Sequence, residues 1–177
     1  MKTKILLTIC IVFCAVTLSA VLFNDYAEGT NPSSSGRLIG QPAPDLTLKD
    51  LSGNEVSLSS LKGKTVLLNF WATWCPYCRK ERAELNTLHD EYKDRGLVIV
   101  SVSIDRSLEK LKRYMKEMPA DYIVLSDTEG LSAGLYKIMG LPTSYMIDSK
   151  GIVRHKNTGY KKWTSSSSKK IINDLVN

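Results

Sequence analysis

The feature that most constrains the fold is a pair of cysteines placed where a buried strand gives way to a helix. Residues 65–70 contain a short apolar run typical of a buried strand. Residues 79–85 are good helix formers, and Pro76 suits a first helical turn because its missing N–H is not needed there. Two residues separate Cys75 from Cys78, which places their sulfur atoms one helical turn apart and within bonding reach.

The position of this pair favours redox chemistry over a structural role. Unpaired N–H groups and the positive end of the helix dipole favour a thiolate at the start of a helix. A bridge that closes so short a loop removes little chain entropy and would stabilise the fold weakly. A metal site would need more ligands, and outside the N-terminal apolar stretch only His89 and His155 could add nitrogen donors. We therefore predict a redox-active disulfide, with no metal and no other cofactor.

The charge of the chain argues against a nucleic-acid partner. The chain has 177 residues and a net charge of +6, and its Lys and Arg residues are spread along the sequence. A diffusely basic surface without a recognition motif does not indicate a nucleic-acid partner. The length is sufficient for one domain with a real core and additional segments.

The N-terminal stretch is apolar enough to interact with a membrane. Residues 5–23 carry no charge, and as a helix they would span about 28 Å, close to the hydrocarbon core of a bilayer. Lys2 and Lys4 precede the stretch, which predicts a cytoplasmic N-terminus and an exported remainder. Because no clean small-residue cleavage site follows Leu18, we favour an uncleaved anchor over a signal sequence.

This interpretation divides the chain into three parts. Residues 1–23 are expected to be a membrane anchor or signal sequence, residues 24–37 a flexible linker rich in turn-forming residues, and residues 38–177 a folded domain. The protein would then be a single-pass protein of the cell membrane with its domain on the extracytoplasmic side. Cleavage of the N-terminus would instead make it secreted or periplasmic.

Strands and helices are predicted to alternate through the domain. A hairpin around Gly53-Asn54 should precede the cysteines, and the helix that begins at Pro76 should end before Gly96. The later segments are, in order, a strand over 97–104, a helix over 107–118, a strand over 122–125, a helix over 131–139, a hairpin of strands 143–147 and 152–155, and a helix from the serine run to residue 176. Such an order predicts an α/β fold with a mixed sheet and helices on both faces.

Several motifs in this order resemble a known family. The run Trp74-Cys75-Pro76-Tyr77-Cys78, followed later by Leu141-Pro142-Thr143 before a strand, resembles the thioredoxin superfamily. The chain is more narrowly similar to the membrane-anchored TlpA/ResA-like thiol–disulfide oxidoreductases, over about residues 38–177. That similarity is carried by residues 41–48, 61–64 and 69–74, by the helix and strand inserted between 107 and 125, and by Gly159 and Trp163.

The resemblance implies a fold and a set of catalytic residues. The fold would be thioredoxin-like, a central mixed sheet flanked by helices, with an N-terminal β-hairpin and an inserted helix and strand. Cys75 would be the exposed attacking thiol, Cys78 the resolving thiol and Pro142 a cis-proline facing them. Glu81 falls where this family often has an active-site glutamate; if buried, its raised pKa would let it exchange a proton with Cys78.

The resemblance also implies a substrate-binding surface around the cysteines. A cis bond before Pro142 would present the backbone of Leu141 to an extended peptide, which could pair with it as an added strand. The expected contacts with substrate are Trp74, Pro76, Tyr77, Leu141 and Thr143. Asn69 stands where ordinary thioredoxins have a buried aspartate, as is common in the TlpA-like branch.

The implied reaction is reduction of disulfides in exported proteins, which include the apocytochromes c in this family. The electrons would come from a membrane protein that passes them outward from the cytoplasm. A disulfide oxidase or isomerase is the main alternative. A thiol peroxidase is less favoured because peroxiredoxins place Pro and Thr where this chain has Leu68 and Ala72. A copper carrier is also less favoured because related copper chaperones usually have three residues between their cysteines.

Overall fold

Seven strands form one mixed sheet in the structure, a computed structural model that describes residues 38–176. The strands are β1 (Thr47–Asp50), β2 (Glu55–Ser57), β3 (Thr65–Trp71), β4 (Leu97–Ser103), β5 (Ile123–Ser126), β6 (Thr143–Ile147) and β7 (Val153–Thr158). Their order in the sheet is β2-β1-β5-β4-β3-β6-β7. The central strands β3, β4 and β5 are parallel to one another. On one side β1 is antiparallel to β5 and to β2, and on the other side β6 is antiparallel to β3 and to β7. The predicted N-terminal hairpin and mixed sheet are therefore confirmed.

Four α-helices flank this sheet. They are α1 (Pro76–Tyr92), α2 (Leu108–Glu117), α3 (Leu131–Leu135) and α4 (Ser166–Asn173); short 3₁₀ turns cover Leu58–Leu61 and Lys93–Arg95. Each of the seven residues of β3 is buried, and alternate side chains enter two cores on opposite faces of the sheet. Leu67 and Trp71 pack on the face covered by α1, whereas Leu68 and Phe70 pack on the other face. The sheet is thus covered on both sides, as predicted.

Local signals set the helix ends close to where the sequence places them. Cys75 caps α1 with Pro76 in its first turn, and the chain leaves the following 3₁₀ turn through Gly96 at a φ of 88°, a conformation that favours glycine. The hydroxyl of Ser107 accepts a hydrogen bond from the N–H of Lys110 at the start of α2. Ser165 caps α4 in the same way, which confirms that the serine run begins the last helix.

The predicted helix over 131–139 is too long. The structure ends α3 at Leu135, and Lys137 has a φ of 50°, which cannot continue a right-handed helix. The side chain of Tyr136 is buried, and its hydroxyl donates to the carbonyl of Pro44 over 2.6 Å. This distant contact draws the chain out of the helix and into the loop that precedes Pro142.

Between residues 38 and 176, none of the helices combines the length and apolar character needed to cross a bilayer. The predicted anchor, residues 1–23, and the predicted linker, residues 24–37, lie outside the described residues.

Candidate active site

The cysteine pair lies at the N-terminus of α1, immediately beyond the end of the central strand β3. Cys75 and Cys78 are joined by a disulfide. The sulfur of Cys75 also accepts a hydrogen bond from the backbone N–H of Cys78 over 3.2 Å, so Cys75 acts as the N-cap of the helix. This arrangement directs a backbone N–H that has no partner within the helix toward the sulfur, and it would stabilise a thiolate there after reduction. The predicted strand–dithiol–helix arrangement is confirmed.

Cys75 is less exposed than predicted. We expected an exposed attacking thiol, but only 4% of the Cys75 surface is accessible, and Cys78 is at 1%. The reason is that the Cys75 side chain turns toward the helix start, where it bonds to Cys78 and packs in the same apolar cluster as Trp71 and Ala72. A reacting disulfide must therefore reach Cys75 along one direction, through the groove that this residue lines.

That groove is open to solvent and has an apolar rim. It has a volume of about 480 Å³ and is lined by Trp74, Cys75, Pro76, Tyr77, Ile104, Ile138, Met139, Gly140 and Leu141. The exposed fractions are 63% for Trp74, 65% for Tyr77 and 95% for Met139. Large apolar side chains so exposed around a reactive group mark a surface that contacts another molecule. The predicted contacts Trp74, Pro76, Tyr77 and Leu141 all lie here.

Some groove residues were missed by the sequence analysis. Ile104 directly follows β4, and Ile138 and Met139 belong to the segment that the sequence predicts to be helical. One sequence signal could have identified Ile138 and Met139: they form an apolar run directly before the Leu141-Pro142 motif. If that motif faces the cysteines, the residues just before it must lie close to them as well.

The loop that faces the cysteines contains the predicted cis-proline. The Leu141–Pro142 peptide bond is cis, and the carbonyl of Pro142 accepts the N–H of Gly159 over 2.7 Å. Among the described residues, the backbone N–H and C=O of Leu141 make no backbone hydrogen bond. Leu141 also lines the groove, so its backbone polar groups can pair with an extended peptide.

Thr143 does not contribute its side chain to this surface. It was predicted to contact substrate, but it is 1% exposed and begins the buried strand β6. Its hydroxyl donates to the carbonyl of Gly140 over 2.7 Å. Thr143 therefore stabilises the loop before Pro142 and does not line the groove.

Glu81 is a buried carboxyl group one helical turn beyond Cys78. Its side chain accepts hydrogen bonds from the backbone N–H of Lys161 at 3.0 Å, from Nε1 of Trp163 at 2.9 Å and from Nδ2 of Asn69 at 3.1 Å. Burial raises the pKa of Glu81 to about 7, although these three donors oppose the shift. The expected raised pKa is confirmed in direction, and such a group can take up or release a proton near neutral pH.

Donors from two distant parts of the fold, β3 and the loop after β7, hold this carboxyl group. Asn69 comes from β3 and also donates to the hydroxyl of Ser144 in β6 over 2.9 Å. Trp163 comes from the loop after β7 and is 2% exposed. Trp163 belongs to the family pattern in the sequence, but its contact with Glu81 is not predictable from that pattern, because 82 residues separate the two.

A second carboxylate, from Asp105, fixes the loop before the cysteines. Asp105 accepts hydrogen bonds from the N–H and hydroxyl of Thr73 at 2.8 and 2.7 Å, and from the hydroxyl of Ser103 at 2.7 Å. This residue was not predicted from the sequence. It links the ends of β3 and β4, and so restrains the loop that carries Trp74 and Cys75.

Replacing Trp163 with Phe is expected to raise the pKa of Glu81 further, by about one unit, because the ionised carboxylate loses a hydrogen-bond donor worth about 1.5 kcal/mol. The measurement is an NMR titration of the Glu81 side-chain carboxyl. Trp71→Phe is the matched control, since Trp71 is also fully buried but its Nε1 has no hydrogen-bond partner among the described residues. An unchanged or lowered pKa in Trp163→Phe would contradict the assigned role of this hydrogen bond.

Comparisons with known proteins agree with this geometry. A model of the AhpC/TSA family matches residues 39–156. The chain is 41% identical to thioredoxin-like protein YneN of Bacillus subtilis over 123 residues, which cover 68% of this chain and 71% of that protein. It is 32% identical to thiol-disulfide oxidoreductase ResA of the same organism over 176 residues, 99% of this chain and 90% of ResA.

Solved structures give the same result. One from Chlorobium tepidum, assigned provisionally to thiol:disulfide interchange protein DsbE, superposes with a TM-score of 0.74 and is 31% identical, covering 78% of this chain and 98% of that one. The thioredoxin domain of a thiol-disulfide oxidoreductase from Bacteroides vulgatus has a TM-score of 0.69 and is 32% identical, with the same coverage of 78% and 98%.

Proposed function

The chain belongs to the AhpC/TSA family and is a thiol–disulfide oxidoreductase of the ResA type, and from this premise we propose that it reduces disulfides in exported proteins, such as apocytochromes c. The observation that carries the proposal is the groove at Cys75. It combines a sulfur at a helix N-terminus, an apolar rim and the free backbone of Leu141. An unfolded protein segment offers side chains to such a rim and an extended backbone to Leu141.

The reaction proceeds by two exchanges. The Cys75 thiolate attacks one sulfur of the substrate disulfide, which forms a mixed disulfide and releases the other substrate sulfur as a thiolate. Cys78 then loses its proton and attacks the Cys75 sulfur, which releases the second substrate thiolate and leaves the enzyme disulfide. Two electrons pass from the enzyme to the substrate, and the released thiolates take up two protons.

Glu81 acts as the proton acceptor in the second exchange. Cys78 is 1% exposed, so bulk water has little access to its thiol. Glu81 follows one helical turn later, and its pKa of about 7 suits proton transfer near neutral pH. Its three hydrogen-bond donors keep the carboxylate in place between successive turnovers.

Location and electron supply complete the proposal. Residues 1–23 anchor the protein in the cell membrane and place the domain on the extracytoplasmic side, consistent with the uncharged stretch at 5–23. That side of the membrane is oxidising, so a reductase there needs a source of electrons. The donor is a membrane protein that presents a thiol pair to the Cys75–Cys78 disulfide.

The reduction potential of the Cys75/Cys78 couple tests the direction of electron flow. We expect a potential at or below about −270 mV, the value for thioredoxin, when the protein is equilibrated with thiol redox buffers. Reduced protein should also reduce a peptide with a Cys-x-x-Cys-His disulfide. A potential near about −120 mV, together with oxidation of a reduced test protein, would favour a disulfide oxidase or isomerase and reject the reductase.

A thiol peroxidase is a weaker candidate for this site. Leu68 and Ala72 stand where peroxiredoxins have Pro and Thr, and both residues are fully buried. Ala72 has no hydroxyl to bind a peroxide beside Cys75. Peroxide consumption is therefore expected to stay at the background rate of a free thiol.

A further inference from the structure

Basic residues are frequent in the segments that form or adjoin the groove at Cys75. Four segments meet there or pack directly beside it, residues 72–80, 104–106, 137–142 and 159–163. Between them they carry six cationic residues, of which the last is half-buried and the others are exposed: Arg79, Lys80, Arg106, Lys137, Lys162 and Lys161. We call these six residues the cationic rim.

The acidic residues of the same region number three against six cations, and none of them forms an ion pair with the cationic rim. Asp105 is 3% exposed and bonds to Thr73 and Ser103, and Glu81 is 1% exposed and bonds inward. Glu84, on the next turn of α1, accepts hydrogen bonds from the N–H and hydroxyl of Thr164. Their carboxyl groups are thus committed to internal donors.

Ion pairs also leave the cationic rim free. Within residues 38–176 the ion pairs join Lys93 to Asp90, Arg154 to Asp148, Lys169 to Glu91 and Lys170 to Asp174, and none includes a residue of the rim. Two rim residues lie instead against aromatic rings. The Lys80 ammonium is 4.6 Å from the Tyr160 ring centroid, and that of Lys161 is 5.4 Å from the Trp163 ring centroid. Such contacts restrain the side chains while leaving their charges uncompensated.

We infer that the cationic rim selects disulfides flanked by acidic residues in the partner polypeptide. This inference rests on the proposed function, since it names the kind of protein segment that the groove receives. The exposed rings of Trp74 and Tyr77 and the side chain of Met139 cover the apolar part of the segment near the disulfide. Acidic side chains on either side of it then face the cationic rim.

Charge complementarity of this kind acts mainly on the rate of encounter. Opposite charges around a binding surface steer association and raise its rate, and the effect falls steeply with ionic strength. The rim charges are exposed, so they are screened over about 10 Å in about 0.1 M salt. A strong salt dependence therefore distinguishes recognition by the cationic rim from recognition by the apolar groove.

Two disulfide peptides test the inference. They share one Cys-x-x-Cys-His core and differ only in their flanks, which hold four Glu residues in one and four Lys residues in the other. We expect the reduced protein to react about tenfold faster with the acidic peptide in about 20 mM salt, and the ratio to approach one in about 500 mM salt. Stopped-flow measurement of the oxidation of the Cys75/Cys78 pair gives both rates.

Charge-reversal variants assign the effect to this face. Lys80→Glu with Lys137→Glu is expected to reverse the preference between the peptides. The matched control is Lys64→Glu with Lys150→Glu, which changes the net charge equally at the opposite end of the sheet and should keep the wild-type ratio. If the wild type reduced both peptides at equal rates, or if the control variant changed the ratio of rates as much as the rim variant does, the inference would be overturned and the proposed function would stand. Failure to reduce either peptide would overturn the proposed function and the inference with it.

Discussion

Replacing Cys75 with Ser is expected to lower the rate of disulfide reduction by at least about a thousandfold, because the first exchange loses its nucleophile. Only a thiolate attacks a disulfide effectively, and a serine hydroxyl stays protonated at neutral pH. Cys78 cannot substitute for Cys75, since it is 1% exposed and does not line the groove. The assay is reduction of a Cys-x-x-Cys-His disulfide peptide, with circular dichroism to show that the variant is folded.

The partner variant Cys78→Ser separates attack from resolution. Cys75 remains at the helix N-terminus, so the first exchange should proceed and the second should stop. We expect a mixed disulfide between Cys75 and the peptide to accumulate, as detected by mass spectrometry, whereas Cys75→Ser should form none. Both variants lose a bridge that spans a sequence separation of three residues, so neither should lose much stability. A mixed disulfide in Cys75→Ser but not in Cys78→Ser would reverse the assigned roles.

The parts of the site that follow from local chemistry were predictable from the sequence. The apolar run of β3, the N1 proline and the spacing of the cysteines act within about ten residues, so they fix the strand, the cap and the dithiol together. The resemblance to a known family added Pro142 and Glu81, which no local pattern would have selected. Both occur where expected, with a cis bond before Pro142 and a buried carboxyl at Glu81.

The remaining features depend on contacts between distant parts of the chain. Trp163 meets Glu81 across 82 residues, and Tyr136 meets Pro44 across 92 residues. The first contact completes the environment of the carboxyl group, and the second ends α3 early and exposes Met139. Helical spacing alone cannot reveal either contact, because each depends on how the loops pack against the finished sheet. The low exposure of Cys75 likewise follows from the direction of its side chain.

These features assign different tasks to the two faces of the dithiol. Toward solvent, Cys75 lines the apolar groove that we propose receives a protein segment. Toward the interior, Cys78 precedes a carboxyl group whose pKa of about 7 results from burial. Because burying an ionised carboxylate costs free energy, the raised pKa of Glu81 must affect the stability of the domain as well as its chemistry.

The pH dependence of stability should therefore report on Glu81. Folding raises the pKa of Glu81 from 4.5 to about 7, so the folded state holds its proton more tightly than the unfolded state. The resulting stabilisation is fully present below pH 4.5 and is lost as the pH rises through about 7. At about 1.4 kcal/mol per pKa unit, the free energy of unfolding should fall by about 3 kcal/mol over this range because of Glu81 alone.

Replacing Glu81 with Gln should remove this component. Gln keeps an oxygen that can accept from Trp163 and Lys161 but does not ionise, so the variant should gain about 3 kcal/mol relative to the wild type between pH 4.5 and 8. Urea unfolding of both oxidised proteins across this range measures the difference. Glu117→Gln, at the exposed end of α2, is the control and should follow the wild-type curve. Suppose instead that the stability of Glu81→Gln varied with pH in the same way as that of the wild type. The pKa of Glu81 would then be the same in the folded and unfolded states, and Glu81 could not serve as the proton acceptor for Cys78.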